Sequence, residues 1–292
     1  MRIAIIANPV AGRGRLFRNL NDYVRDWNNP KWDVEILPTR APDHAGVLTR
    51  ELLVRPPDVL AICGGDGTIN EVVSALPSAP PCPVAILPGG TANVLARELG
   101  LPRDPIQALG IALKRKVRQI DIGEMRAGQN RRFTFVAGIG FDAWAVHEAR
   151  PALKSRIGMA AYVVAVAECL INYKFPRFEI AADGSTYTAT SCLICNARSY
   201  GGGLSFCPDA DMADSLLDVL ILEGVHRAAL AGFLLSAWIH PGRTPAWARR
   251  LQAKELRIEG PSSVYIETDG ELVGTLPAAC FLSEKSLPLI VR

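Results

Sequence analysis

The stretch LAICGGDGTINEVVSAL, residues 60–76, decides the fold because an apolar run, a glycine-rich turn and an amphipathic run follow one another without a break. The run 58–63 predicts a short strand that is buried on both faces. After the glycines, apolar residues recur at helical spacing, at Ile69, Val72, Val73 and Leu76. The glycines therefore lie at a strand-to-helix turn, where free backbone N–H groups and the helix dipole favour anions. We expect this turn to bind phosphate.

Length and composition limit the classes of protein to which the chain can belong. Its 292 residues predict about two domains, and 49% hydrophobic with 21% charged residues is typical of a globular protein. The net charge of +3 is too small to indicate a nucleic-acid partner, and we expect none. The seven cysteines are scattered, and Cys192 and Cys195 face opposite sides of a predicted strand. They predict buried thiols in a reducing cytoplasm rather than a redox or zinc pair.

The sequence predicts neither a secretory signal nor a membrane span. Its first apolar run is too short for a signal peptide. The nearest candidate for a span, residues 157–171, contains Glu168 and is shorter than the roughly 18 to 20 residues that a spanning helix needs. We expect a cytoplasmic protein, with at most a peripheral contact at the inner face of the membrane.

The first part of the chain, residues 1–117, alternates strand-like and helix-like runs. Strands are predicted at 2–7, 32–38, 58–63 and 83–87, and helices at 16–27, 43–54, 68–76, 91–99 and 105–116. This rhythm is typical of an α/β domain with a parallel sheet, in which ligands bind beyond the carboxyl ends of the strands. Three polar, glycine-rich loops follow such strand ends: NPVAGRG at 8–14, GGDGT at 64–68 and PGGTAN at 88–93. We expect these loops to converge.

From residue 118 to residue 284 the rhythm changes to short strands separated by turns. Strands are predicted at 117–123, 132–137, 177–182, 187–197, 217–222, 255–259, 264–268 and 278–282, with helical inserts at 155–173 and 226–240. The pattern is typical of a mostly antiparallel β-sandwich domain. The tail, residues 285–292, is predicted to return to the first domain.

Asp66 stands among the glycines of GGDGT. Its carboxylate would repel a phosphate group unless a cation lies between them, and Mg²⁺ is the usual bridge. Thr68 offers a hydroxyl group and an N-cap for the helix that follows. We therefore expect nucleotide phosphates to bind here, with Mg²⁺ at Asp66.

The loop PGGTAN repeats this design. Gly89 and Gly90 allow a close approach of the backbone to a ligand. Thr91 is expected to cap the next helix, and Asn93 to reach a ligand from its first turn. Asn8 adds a polar side chain where the first strand ends.

Two acidic stretches occur in the second part of the chain. In ETDGEL, residues 267–272, Asp269 and Glu271 flank a glycine, and the Asp-Gly pair predicts a β-hairpin. In PDADMADSLLDV, residues 208–219, four aspartates precede a strand without the glycine of an EF-hand loop. The second stretch is compatible with a cation site and equally with a solvated acidic turn.

Several common motifs are missing from the sequence. It has no P-loop, no nucleophile elbow and no zinc-protease motif, and its four histidines are dispersed. The stretch GIGFDA, residues 138–143, matches a dinucleotide fingerprint, but no acidic residue follows about 20 positions on. Histidine-based catalysis and dinucleotide binding through this motif are therefore disfavoured.

The set of motifs resembles the diacylglycerol kinase catalytic-domain family, which includes bacterial diacylglycerol kinases, phosphatidylglycerol-type lipid kinases, and the sphingosine and ceramide kinases. The order N-P-x-A-G, G-G-D-G-T-I-N-E-V, P-x-G-T-A-N and a late D-G-E spans nearly the whole chain. NAD kinases and phosphofructokinases share the Gly-Gly-Asp-Gly core. The resemblance implies an N-terminal α/β nucleotide domain, a C-terminal β-sandwich and an active site in the cleft between them.

The resemblance also implies roles for individual residues. Thr39, the run Gly65–Glu71 and Thr91 would line an ATP site, and either Asp269 or Glu271 would take a proton from the lipid hydroxyl group. With the glycine loops, the candidate nucleotide-binding residues are Asn8, Thr39, Gly64, Gly65, Asp66, Gly67, Thr68, Asn70, Glu71, Gly89, Gly90, Thr91 and Asn93.

The resemblance further places a structural Mg²⁺ at the loop that holds Asp211, Asp214 and Leu216, with a side-chain oxygen from Asp214. The family loop usually reads Asp-Gly, whereas here Ser215 follows Asp214, and serine would be strained if this position needs a positive φ. Val94 stands where many members have Asp, as an apolar residue does in sphingosine-kinase-like members.

A membrane lipid such as diacylglycerol is the acceptor that the resemblance implies, with phosphatidylglycerol, sphingosine and ceramide as alternatives. An NAD kinase and a non-catalytic nucleotide- or lipid-binding module are the other classes left open. Residues 157–171 and 233–250 are compatible with contact to an anionic membrane surface and also with core packing. The sequence leaves a homodimer open.

Overall fold

The chain forms two compact units. A computed structural model describes residues 1–148, 168–240, 242–283 and 286–292. The N-terminal unit holds Met1–Ile122 together with Ser283–Arg292, and the sandwich unit holds Gly123–Leu282. Most of the helix predicted at 155–173 lies outside the described residues.

The N-terminal unit contains one six-stranded sheet with helices. Its strands are β1 (Arg2–Ala7), β2 (Asp33–Pro38), β3 (Val59–Gly64), β4 (Val84–Pro88), β5 (Val117–Ile120) and β18 (Leu287–Ile290). Its helices are α1 (Arg15–Arg25), α2 (His44–Leu52), α3 (Asp66–Ala75), α4 (Val94–Glu98) and α5 (Pro105–Ala112). The strand order is β2-β1-β3-β4-β18-β5, and all neighbours are parallel except β18 and β5.

Apolar side chains explain why the central strands of this sheet form. Every residue of β3 and β4 is buried, and Ile62 and Leu87 are fully enclosed. Burying each such side chain stabilises the fold by about 1.5–3 kcal/mol. The core therefore fixes the carboxyl ends of these strands, where the glycine loops begin.

The sandwich unit contains two six-stranded sheets. Its strands are β6 (Gly123–Arg126), β7 (Asn130–Phe133), β8 (Val136–Ile139), β9 (Phe178–Ala182), β10 (Ser185–Ala189), β11 (Ser191–Cys195), β12 (Leu217–Leu222), β13 (Ala248–Ala253), β14 (Glu255–Glu259), β15 (Tyr265–Thr268), β16 (Glu271–Thr275) and β17 (Ala278–Leu282). Its helices include α6 (Phe141–Glu148) and α7 (Arg227–Ile239).

Both sandwich sheets are antiparallel. Their orders are β10-β9-β14-β17-β6-β7 and β13-β12-β11-β8-β15-β16. Side chains from the two sheets form one apolar core, in which Phe133, Ile180 and Ile258 of the first sheet meet Ile139 and Ile194 of the second. The predicted fold class, a parallel α/β domain followed by an antiparallel β-sandwich, is confirmed.

Three strands of the sandwich unit escape prediction: β6, β13 and β16. The last two are edge strands with polar, partly exposed side chains, so their hydrophobic alternation is weak. The single strands predicted at 132–137 and 187–197 are each two short strands separated by a turn. The strand predicted at 117–123 is β5, which pairs with β18 in the N-terminal sheet.

The cysteines of the described residues agree with the expectation of buried thiols. All seven cysteines are buried and free, as predicted. In the part of the chain that the structure describes, no helix combines the length and the apolar character needed to cross a bilayer.

Candidate functional site

The loops after β3 and β4 meet backbone to backbone. The Gly89 N–H donates to the Gly64 carbonyl oxygen at 2.8 Å. A Cβ atom on Gly90 would lie 2.4 Å from the Gly65 Cα, and one on Gly89 would lie 3.2 Å from the Gly64 Cα. Only glycine permits this approach at Gly90, because a real Cβ does not come so close to a backbone atom. The predicted convergence of these two loops is confirmed.

The loop after β1 reaches the same edge of the sheet. A Cβ atom on Gly12 would lie 3.2 Å from the Gly89 carbonyl oxygen. The Asn8 Nδ2 donates to the Thr68 Oγ1 at 3.3 Å. Thr39, directly after β2, is 9% exposed, and its N–H donates to the Ala7 carbonyl oxygen at 2.8 Å. Four strand ends thus bring candidate nucleotide-binding residues to one edge.

The Asp66 carboxylate joins the two glycine loops. Its Oδ1 accepts a hydrogen bond from the Val94 N–H at 2.8 Å, at the first residue of α4. Burial raises the pKa of Asp66 above its usual value, and the surrounding amide groups, Val94 foremost, oppose that rise. One oxygen of this carboxylate is therefore occupied by the hydrogen bond that joins the two loops.

Both N-cap predictions are wrong. α3 begins at Asp66, with Gly65 extended before it, so Thr68 lies inside the first turn and is buried. α4 begins at Val94 and is preceded by Asn93 in the left-handed region, at φ +47°, which Asn tolerates better than most residues. Thr91 is exposed and lies before the helix. The first helix therefore has its N-cap three residues before Thr68, at Gly65, and the second has its N-cap two residues after Thr91, at Asn93.

The side chains of three candidate residues form hydrogen bonds within the N-terminal unit. The Asn93 Oδ1 accepts from the Gly90 N–H at 2.8 Å, and its Nδ2 donates to the Gly90 carbonyl oxygen at 2.9 Å. The Glu71 Oε2 accepts from the Ala45 N–H at 3.0 Å, in the first turn of α2. Asn70 is 3% exposed and its Oδ1 accepts from the Ser74 hydroxyl group. Asn93 therefore braces the second glycine loop, Glu71 joins α3 to α2, and Asn70 bonds within α3.

Two members of the candidate set, Gly67 and Thr91, are exposed. Gly67 lies in the first turn of the ten-residue helix α3, where backbone N–H groups lack partners within the helix. Thr91 follows the glycines of the second loop. The arrangement can hold a phosphate chain between a helix N-terminus and backbone amides.

In the sandwich unit, Asp269 and Gly270 form the two-residue turn between β15 and β16. Their φ angles are +50° and +86°, as a type I′ turn requires. The predicted hairpin at ETDGEL is therefore confirmed.

The Asp269 carboxylate is fully engaged in hydrogen bonds. Oδ2 accepts from the Thr134 N–H at 2.7 Å and from the Thr134 hydroxyl group at 3.0 Å. Oδ1 accepts from the N–H groups of Phe135 and Val136, each at 3.1 Å. Burial raises the pKa of Asp269 to about 6, and these hydrogen bonds oppose a larger rise. The side chain fastens the turn to the connection between β7 and β8.

Glu271 has the opposite environment. It is the first residue of β16, and its side chain is 43% exposed. Its Oε2 lies 4.0 Å from Nη1 of Arg131 in β7. Of the two acids that flank Gly270, Glu271 is therefore the one that solvent or a ligand can reach.

Three residues beside this turn are missed by reading the sequence for function: Asp142, Tyr200 and Glu267. The Glu267 Oε2 accepts from the Gly270 N–H at 2.6 Å, and Glu267 is 1% exposed. The Tyr200 hydroxyl group donates to the Asp142 Oδ1. The sequence signal for Glu267 is its position two residues before Asp269. Its proximity to Asp142 arises only when β15 pairs with β8.

The acidic loop before β12 folds on itself. The Asp211 Oδ1 accepts from the Ala213 N–H, and the Asp214 Oδ1 from the Leu216 N–H, each at 3.0 Å. Ser215 has φ +62°, in the region that favours glycine. Within the described residues, no group of three or more His, Cys, Asp and Glu side chains is arranged to hold a metal ion.

Comparison with known protein families assigns both parts of the chain to known domain types. The model of the diacylglycerol kinase catalytic domain matches residues 2–125, and that of the YegS C-terminal NAD kinase beta sandwich-like domain matches residues 135–291. The chain therefore belongs to the diacylglycerol kinase family, a family of ATP-dependent lipid kinases, as the motifs indicate.

A curated relative agrees with this placement, and two solved structures share the fold. The chain is 28% identical to a diacylglycerol kinase of Bacillus subtilis (strain 168), over 94% of this chain and 91% of the relative. It shares the fold of a putative diacylglycerol kinase from Bacillus anthracis str. Sterne, at a TM-score of 0.81 and 24% identity, covering 100% and 95% of the two chains. An NAD kinase from Archaeoglobus fulgidus has a TM-score of 0.53 at 13% identity, covering 99% and 93%.

Proposed function

We propose that this chain transfers the γ-phosphate of ATP to a hydroxyl group of diacylglycerol. The observation that carries the proposal is the hairpin turn Asp269-Gly270-Glu271, which presents an accessible carboxylate on an anchored support in a chain of this family. Phosphoryl transfer needs positioning, charge neutralisation and a base more than covalent chemistry from the protein.

The nucleotide would bind at the glycine loops of the N-terminal unit. Backbone N–H groups at the start of α3 and beside Thr91 would contact the phosphates. The close packing of Gly65 on Gly90 keeps both backbones free of side chains at that point. Because hydrogen bonds of Asp66, Asn8 and Asn93 hold the loops, the phosphate site would be preformed.

Mg²⁺ would accompany the ATP. One carboxylate together with phosphate oxygens is enough for this ion, and Asp66 offers a partly exposed carboxylate of which Val94 occupies one oxygen. The ion would neutralise charge on the phosphates. A second cation at Asp211, Asp214 and Leu216 stays a prediction; the Asp211 and Asp214 carboxylates each accept a backbone N–H of their own loop.

Glu271 would be the general base. It would accept the proton of the lipid hydroxyl group while that oxygen forms a bond to the γ-phosphorus and the bond to the ADP oxygen breaks. Asp269 is poorly suited to this role, because protonating it would weaken the hydrogen bonds from Thr134, Phe135 and Val136. We assign Asp269 to positioning the turn.

A lipid acceptor requires contact with a membrane, and α7 offers an apolar surface. Leu235 and Ile239 are 67% and 66% exposed, and Ala231 on the same face is also exposed. Such a face can enter the interfacial region of a bilayer. The neighbouring arginines contribute less than the sequence suggests, because Arg249 pairs with Glu223 and Arg250 donates to the Phe206 carbonyl oxygen.

The decisive experiment is transfer of labelled γ-phosphate from ATP, with Mg²⁺, to diacylglycerol, phosphatidylglycerol, sphingosine, ceramide and NAD in separate reactions. We expect label in diacylglycerol and its loss in Glu271→Gln. Label confined to another lipid would change the acceptor and keep the class. Label confined to NAD, or label in none of the five with ATP still bound, would contradict the proposal.

A further inference from the structure

Glu267 and Asp142 form a buried acid pair behind the Asp269-Gly270 turn. Glu267 in β15 is paired with Gly138 in β8, which has no side chain. Asp142, in the first turn of α6, fills the space above that glycine. A Cβ atom on Gly138 would lie 2.2 Å from the Asp142 Oδ2 and 2.7 Å from the Glu267 Oε1. The two carboxyl groups therefore face each other across a position that must be glycine.

The pair must share a proton. The Asp142 Oδ2 and the Glu267 Oε1 are both buried, and neither accepts a hydrogen bond from another described residue. Both oxygens crowd the same position over Gly138, so one of the two carboxyl groups must be protonated for them to share this buried space. The other oxygens are satisfied, since the Asp142 Oδ1 accepts from Tyr200 and the Glu267 Oε2 from the Gly270 N–H.

The groups around the pair bear on which of the two carboxyl groups is protonated. Burial and the neighbouring Asp142 raise the pKa of Glu267 well above its usual value, and Asp269 adds a smaller rise. Burial also raises the pKa of Asp142, whereas the hydrogen bonds from Tyr200 and Glu267 lower it. Other ionisable groups of α6 and β16 are engaged elsewhere, because His147 and Glu148 pair with each other and Glu271 lies beside Arg131. Asp142 accepts a hydrogen bond from the Tyr200 hydroxyl group, and Glu267 has two other carboxyl groups beside it, so we place the proton on Glu267.

We propose that protonated Glu267, held by Asp142, is a positioning residue that fixes the Gly270 amide and thereby the direction in which Glu271 points. This inference rests on the proposed function for its catalytic consequence. Gly270 is held from two sides, since Asp269 is fastened to the Thr134–Val136 backbone and Glu267 accepts from Gly270 itself. Loss of the shared proton would place two carboxylates against each other and displace the turn.

Two variants of Glu267 test the pair in this chain. Glu267→Gln keeps the shape and gives an amide that donates to Asp142 while its oxygen accepts from Gly270, so it reproduces the protonated state. Glu267→Ala removes both contacts. We expect kcat to fall about 10²-fold in Glu267→Ala with KM for ATP unchanged, because the base is displaced while the nucleotide loops are intact. Glu267→Gln should restore most of kcat.

The pH profile distinguishes positioning from simple packing. Wild-type kcat/KM should decline at alkaline pH as Glu267 loses its proton, and Glu267→Gln should lack that decline. Asp142→Asn should lack it as well, because its amide donates to an ionised Glu267. An identical alkaline decline in wild type and Glu267→Gln would overturn the proposal.

A readout without activity separates this inference from the proposed function. Amide hydrogen exchange at Gly270 should speed up in Glu267→Ala and return to the wild-type rate in Glu267→Gln. Hydroxide accelerates amide exchange in every protein, and Glu267→Gln measures that effect alone. In wild type, exchange at Gly270 should speed up more than this at alkaline pH. Equal exchange in all three proteins would refute the pair's role, whereas a chain without kinase activity but with this exchange pattern would refute only the kinase.

Discussion

The Asp66 carboxylate accepts the Val94 N–H at 2.8 Å, so one side chain in the turn after β3 holds the start of α4 in the loop after β4. The same carboxylate is the proposed ligand of Mg²⁺. Its two roles can be separated by substitution, because an amide oxygen can still accept from Val94 whereas it binds Mg²⁺ weakly.

Asp66→Asn should therefore lose activity without losing stability. We expect kcat to fall about 10²-fold or more, as for loss of one strong electrostatic contact in an active site. Asp66→Ala should lose activity and also about 1 kcal/mol of unfolding free energy, the usual effect of removing a helix cap. Urea unfolding and phosphate transfer on the same preparations measure the two effects. Equal activity of Asp66→Asn and wild type would contradict the assignment of Mg²⁺ to this residue.

Gly90→Ala should destabilise the N-terminal unit. The new Cβ would lie 2.4 Å from the Gly65 Cα, and a backbone atom cannot move away as a flexible side chain would. We expect a loss of about 1–3 kcal/mol and weaker ATP binding, since both loops must separate. Gly110→Ala is the matched control, because Gly110 is exposed within α5 and no atom lies within 4 Å of the added Cβ. That control should gain about 0.5–1 kcal/mol from helix propensity.

Glu271→Gln and Asp269→Asn should fail in different ways. Glu271→Gln should reduce kcat by about 10² to 10⁴-fold with little change in stability, as expected for a removed general base on an exposed position. Asp269→Asn should unfold more readily, because its NH₂ group would face N–H donors of Thr134, Phe135 or Val136. A Glu271→Gln protein with wild-type kcat would return the role of base to Asp269.

The unfolding free energy of the wild type should depend on pH through the titration of Asp269. Its folded-state pKa of about 6 lies above the unfolded value, so folding favours the protonated form. The group's contribution to the unfolding free energy is therefore fully present below about pH 4 and is lost as pH rises through about 6. The difference in unfolding free energy between wild type and Asp269→Asn should shift against wild type by about 3 kcal/mol or less over this range. A difference that is flat with pH would contradict the raised pKa.

Ser215→Gly should stabilise the sandwich unit by about 1 kcal/mol, because serine at φ +62° is strained and glycine is not. Ser263→Gly is the control: Ser263 is exposed and does not adopt a positive φ, so glycine there should lower stability through chain entropy. Thermal unfolding compares the two. Equal shifts in both variants would mean that the left-handed backbone at Ser215 carries no strain.

The sequence predicts well what depends on local pattern. The buried strands Arg2–Ala7 and Leu217–Leu222 are given to the residue by apolar runs, and the hairpin at Asp269-Gly270 follows from the conformational freedom of two turn residues. For the thirteen candidate nucleotide-binding residues, by contrast, only the structure shows which are exposed and which are buried. Nothing in the sequence shows that Asn93 and Glu71 turn inward to brace Gly90 and Ala45.

What the sequence cannot supply is the partner of a buried charge. Glu267 is one of many glutamates until β8 places Gly138 opposite it and α6 returns Asp142 to the gap. The same holds for Asp269, whose four donors come from residues more than 130 positions away. Long-range pairing, rather than local propensity, creates both environments.

The place of β18 in the N-terminal sheet has a consequence for how the molecule is made. Ser286 beside it bonds Gln119 across 167 positions of chain, and β18 supplies the only described link between β4 and β5 in the sheet order. The sandwich unit must therefore be synthesised before β18 can pair with β4 and β5 and complete the N-terminal sheet. Until then β4 offers an unpaired edge. The nascent chain should rely on the speed of the sandwich's own assembly, or on a chaperone, to keep that edge from pairing with a neighbouring chain.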